Sequence, residues 1–92
     1  MHFSLICFDK PDHLSLRMES RPAHLAHLKM HEANILVAGP LLDDAGRNPV
    51  GSLLIVEFDD LAGARAFADD DPYAKAGLFE SVTIRPWRKV LP

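Results

Sequence analysis

Three histidines, His24, His27 and His31, recur at intervals of three and four residues. On a helix that spacing puts them on one stripe, and two imidazoles one turn apart can chelate zinc or copper. A metal-binding protein is therefore one reading of the segment, though no HExxH pattern and no nearby cysteine accompanies it. The competing reading gives one histidine to a pocket and leaves the others at a surface or interface. His24 stands apart by position. Pro22 fits the first residue of a helix, where its fixed φ is an advantage, and His24 then falls in the first turn, at the positive end of the helix dipole. An imidazole there, given a carboxylate partner, suits general acid–base chemistry near neutral pH. Asp71 is the matching carboxylate. It also reads as a plain helix N-cap, since Pro72 follows it and favours the first helical position.

The remaining chemical groups carry less. Cys7 lies in an apolar stretch where a buried thiol is inert packing, and nothing near it in sequence lowers its pKa. Ser52 follows Gly51 and reads as a strand start that can also bond a substrate. Tyr73 and Trp87 read as core or interface residues that keep a polar donor. No glycine-rich phosphate loop is present, and Gly39-Pro40 reads as a turn.

The chain has 92 residues, 48% of them hydrophobic, with a net charge of −3. One domain over residues 1–92 is expected at this length. A body this small with so much apolar material is marginal alone and favours oligomerisation. Mixed charge of low net value gives no footprint for nucleic acid or an anionic membrane, and Arg85, Arg88 and Lys89 form only a short basic cluster broken by Pro86 and Trp87. One cysteine precludes an internal disulfide and fits a reducing compartment. With no long apolar span and no basic leader, a cytoplasmic location is expected.

The elements that must position these groups follow from periodicity and punctuation. Phe3–Phe8 reads as a strand, and a helical pattern from Asp12 carries Leu14, Leu16 and Met18. Pro22 argues against one straight helix and for a second, bearing Leu25, Leu28 and Ala33. Ile35–Ala38 and Ser52–Phe58 read as strands of a hairpin with a long polar connection. Asp59-Asp60 then caps a helix bearing Leu61, Ala64, Phe67 and Ala68, followed by a helical turn from Pro72 to Gly77 and a last strand over 81–90, where Pro86 marks an edge or bulge. The order is βαββαβ, an α+β ferredoxin-like arrangement. Leu53-Leu54-Ile55-Val56 is continuously apolar, where a strand with one wet face alternates. Helices here cover one sheet face only, so a second copy of the chain is the expected cover for the other.

Arg21-Pro22-Ala23-His24-Leu25-Ala26, Val37-Ala38-Gly39-Pro40-Leu41 and Ala68–Gly77, in this order and spacing, resemble the YCII-related proteins, as does the closing Val82–Trp87. The resemblance implies a ferredoxin-like chain paired as a dimeric α+β barrel, with a site centred on a histidine and an aspartate, here His24 and Asp71. Ser52 falls at that family's Gly-Ser position. His27 and His31 lie outside its pattern. The resulting expectation is a small-molecule enzyme of lyase, isomerase or hydrolase type. His24 and Asp71 move protons in it, Ser52, Gly39, Arg21 and Tyr73 bind substrate, and no cofactor or metal is called for. A non-catalytic ligand-binding or accessory module is the main alternative.

Overall fold

The computed structural model describes Met1–Pro92 and runs β1 (His2–Asp9), α1 (Leu14–Met30), β2 (Ile35–Leu42), β3 (Pro49–Glu57), α2 (Leu61–Asp69), α3 (Pro72–Lys75) and β4 (Phe79–Trp87). The four strands form one sheet in the order β2-β3-β1-β4, and every neighbouring pair is antiparallel. That is the ferredoxin-like α+β arrangement expected from the sequence.

Alternation along β1 sends Phe3, Leu5 and Cys7 to the helix-covered face and leaves His2, Ser4 and Ile6 half-buried on the other. The facing residues Val56, Leu54 and Ser52 of β3 join them. Phe3, Leu5, Leu54, Val56 and Ile84 from the sheet pack with Ala64, Phe67 and Ala68 from α2 into one core. Full burial of an aliphatic or aromatic side chain of this kind contributes roughly 1.5–3 kcal/mol. The α2 helix begins as expected, the Asp60 carboxylate accepting from the Gly63 amide at 2.9 Å. Gly51 is required where β3 passes β1, because a Cβ there would lie 2.3 Å from the Cys7 carbonyl oxygen. No helix is long and apolar enough to cross a membrane.

Two expectations about proline are corrected. Pro22 does not split the helix: α1 is continuous from Leu14 to Met30 with Pro22 inside it. His24 is consequently in the helix interior and not in a first turn, so no N-terminal dipole acts on it. The missing amide hydrogen of Pro22 deprives one carbonyl of its partner. Buried side-chain bonds on either side, from Arg17 before it and His24 after it, anchor both halves of the helix to the body of the protein. Gly39-Pro40 is likewise no turn. Both lie within β2, Gly39 opposite Leu53 and Pro40 opposite Ser52. Because β2 is an edge strand, a residue without an amide hydrogen is tolerated there.

Candidate functional site

Helix α1 is built the opposite way from an ordinary amphipathic helix. Its buried residues are Arg17, His24 and His27, while Leu14, Met18 and Leu25 are 40%, 52% and 43% exposed. The polar stripe is turned into the body, and the aliphatic stripe lines a cavity of about 680 Å³ between α1 and the β2–β3 hairpin. That volume suits a small organic ligand.

Asp71 ends the loop after α2 and caps α3, its Oδ1 accepting from the Tyr73 amide at 2.9 Å. The same carboxylate accepts from His24 Nδ1, at 2.9 Å for Oδ1 and 3.1 Å for Oδ2. Both side chains are buried. Capping and pairing with histidine, which read as rivals in the sequence, are performed by one group. The Tyr73 ring stacks on the imidazole at 3.9 Å and 13°, which fixes the ring plane. With Nδ1–H donated to Asp71, Nε2 is left as the basic nitrogen of a residue on the cavity wall.

Arg17 and Asp9 make a second centre that sequence reasoning missed. Arg17 Nη1 donates to both Asp9 oxygens, at 3.0 and 2.9 Å, and Nη2 donates to Ser52 Oγ at 2.8 Å. Its guanidinium also lies 4.6 Å from the Tyr73 ring centre. Because Ser52 Oγ accepts this bond, its own hydrogen is free to be donated. Burial pushes the Tyr73 hydroxyl above its usual pKa, with Arg17 and Arg21 opposing. The same enclosure pushes the Cys7 thiol up to about 12, through burial first and then the charges of Asp71 and Asp9. Cys7 is therefore a protonated packing residue and no nucleophile.

Of the residues expected to serve a site, His24, Ser52, Gly39, Arg21 and Tyr73 all line the cavity, and Asp71 stands behind His24. The histidine stripe divides. His24 is committed to Asp71. His27 stacks on Phe67 at 4.8 Å and 22°, and His31 meets Phe67 edge-on at 5.2 Å. No three His, Cys, Asp or Glu side chains converge as a metal-ligand set.

His27 Nε2 is buried without a hydrogen-bond partner, and burial pushes the His27 pKa below 6.5. Between that lowered value and 6.5 the unfolded chain binds the proton more readily, so stability falls as pH drops through this window. His27→Leu removes the orphaned nitrogen and is expected to gain about 1 kcal/mol at pH 7. Urea titrations should show the gap over the parent widening as pH falls below 6.5, and a gap constant from pH 7.5 to 5.5 would refute it.

The profile of the YCII-related domain matches residues 1–88. Protein YciI of Escherichia coli is 40% identical over 98% of this chain and 99% of its own length. An uncharacterized protein of Haemophilus influenzae is 36% identical with the same coverage. Among solved structures, the 5-chloro-2-hydroxyhydroquinone dehydrochlorinase TftG of Burkholderia phenoliruptrix, in complex with 2,5-dihydroxybenzoquinone, matches with a TM-score of 0.92 at 34% identity. The match covers 96% of this chain and 94% of that one. An antibiotic biosynthesis monooxygenase, 14% identical with a TM-score of 0.56 and 98% coverage of each chain, shares the fold. Profile, sequence and structure agree, and the chain belongs to the YCII-related family.

Proposed function

We propose that this protein is a small-molecule enzyme of lyase or isomerase type in which His24, oriented by Asp71, transfers the proton. The observation that carries this reading is the buried Nδ1–carboxylate bond behind an imidazole on a cavity wall. Asp71 selects the tautomer with a basic Nε2 and stabilises the imidazolium formed when that nitrogen takes a proton. In an elimination, Nε2 removes a C–H or O–H proton, the freed electron pair forms the new double bond, and the leaving group departs with its own pair. In an isomerisation the same nitrogen returns the proton to another atom. Ser52, with its hydrogen free, donates to the oxygen on which charge develops. A structural relative 34% identical is a dehydrochlorinase held with a dihydroxybenzoquinone, and loss of hydrogen chloride is an elimination of this kind. Chloride release from 5-chloro-2-hydroxyhydroquinone, followed by ion-selective electrode, is the direct assay. Binding without turnover, unaltered by change at His24, would favour the non-catalytic module instead.

The same proposal pairs two copies through the uncovered sheet face. Leu53 and Ile55 point away from the helices, opposite Ile6 and Ser4. Val37, Phe8 and Trp87 on this face are 54%, 49% and 37% exposed. Burying roughly 400 Å² of apolar surface supplies on the order of 10 kcal/mol before association costs. Sedimentation equilibrium is expected to give twice the chain mass, and Leu53→Arg, which places a charge within the face, the single mass. A parent that sediments as one chain at micromolar concentration would remove the pairing. The single buried thiol fits work in a reducing compartment such as the cytoplasm.

A further inference from the structure

Charge on the cavity wall runs against the charge of the chain. Acidic residues outnumber Lys and Arg by 13 to 10 overall, yet the wall holds Arg17, Arg21 and Arg47 and no aspartate or glutamate. Arg17 is neutralised by Asp9. Arg21 and Arg47 take part in no ion pair. They reach the cavity from different elements, Arg21 from α1 between Arg17 and His24, and Arg47 from the β2–β3 connection. That connection is not loose: the Asp43 amide donates to the Asn48 carbonyl at 2.9 Å, and Asp43 Oδ1 accepts from the Arg47 amide at 3.0 Å. Arg47 thus has a fixed backbone and a free guanidinium. Beside these charges the wall is aliphatic, with Leu25, Leu28 and Leu54.

We infer that the cavity takes a small organic anion, a carboxylate or enolate on an apolar body, whose charge is held by Arg21 and Arg47. Guanidinium groups match the two oxygens of such an anion, and the aliphatic stripe of α1 covers the rest of it. Arg21 and Arg47 raise the local concentration of anions at the mouth of the cavity, an effect that salt screens. The inference rests on the cavity being the reaction site, and it adds the substrate's charge class and a residue, Arg47, that no motif indicated.

Paired aromatic acids and their neutral amides test it: benzoate with benzamide and salicylate with salicylamide, titrated into the protein by two-dimensional amide NMR at low salt. The acids are expected to bind about tenfold tighter than the amides, a difference that shrinks in 0.5 M salt. Arg21→Gln and Arg47→Gln should each weaken the acids about fivefold and leave the amides unchanged. Equal affinity for acid and amide, absence of binding by every probe, or acid affinity indifferent to both substitutions would overturn it. His24→Gln separates this claim from the acid–base reading. Acid selectivity retained in that variant supports the anion site whatever happens to turnover, whereas selectivity lost from a protein whose turnover still depends on His24 sinks the anion site alone.

Discussion

On the acid–base reading, His24→Gln is expected to lower turnover by about 10²–10⁴-fold, the share of rate that a positioned general base supplies, in a protein that stays folded and still binds substrate. Glutamine fills much of the imidazole volume and can still hydrogen-bond Asp71, so the cavity wall is preserved and only the proton-accepting ring nitrogen is lost. Asp71→Asn is the sharper companion. Asparagine caps helices as well as aspartate, so α3 and the Tyr73 amide bond survive. The oxygen kept at the Oδ1 place still meets both the Tyr73 amide and Nδ1, but the side chain no longer carries the negative charge that stabilises the imidazolium. Turnover should fall by roughly 10²-fold or more with little change in thermal midpoint. Asp71→Ala loses the cap as well and costs an additional ~1 kcal/mol of stability. Since the two groups act as one unit, His24→Gln with Asp71→Asn should be scarcely slower than His24→Gln alone. Full activity in either single variant ends the acid–base reading.

Much of the candidate site is legible in the sequence, and what is hidden there has physical causes. His24 and Asp71 stand out chiefly because the Arg-Pro-Ala-His and Asp-Pro-Tyr blocks resemble those of the YCII-related family. The local reason for Asp71, a helix cap, is present, and the local reason for His24, a place in a first turn, is not. Arg17 and Asp9 were not found, because an arginine between Leu16 and Met18 reads as the solvated side of an amphipathic helix. The periodicity of Leu14, Met18, Leu25 and Leu28 is genuine, but it describes the lining of a cavity, and the lining of a cavity and the lining of a core have the same composition. One signal was available. Arg17 continues the stripe of His24, His27 and His31 by a spacing of seven, so four polar residues share a helix face that flanks the aliphatic one. The prolines misled for a related reason. Pro22 and Pro40 break helices and strands when only local terms count, and here tertiary anchors on α1 and the edge position of β2 outweigh those terms.

The second large effect concerns the buried ion pair that ties α1 to the end of β1. Arg17 and Asp9 side chains are only 5% and 6% exposed, so each depends on the other to offset the cost of leaving water. Arg17→Met strands the Asp9 carboxylate, and Asp9→Leu strands the guanidinium. Each is expected to lose about 3–5 kcal/mol, the usual cost of an uncompensated buried charge and a large part of the stability of a domain this size. Removing both together should cost far less than the sum, because two methylene-rich side chains of similar volume leave no charge behind. The double variant nevertheless loses something the stability measurement does not see. Ser52 Oγ no longer accepts from Nη2, its hydroxyl is free to rotate, and the oxyanion donor proposed for the reaction loses its fixed direction. The expected pattern in urea unfolding and steady-state kinetics is therefore two badly destabilised single variants and a stable double variant with reduced turnover and nearly unchanged KM. Additive destabilisation in the double variant would mean that the pair contributes through separate contacts, and a double variant with parental turnover would show that Ser52 needs no guanidinium to do its part.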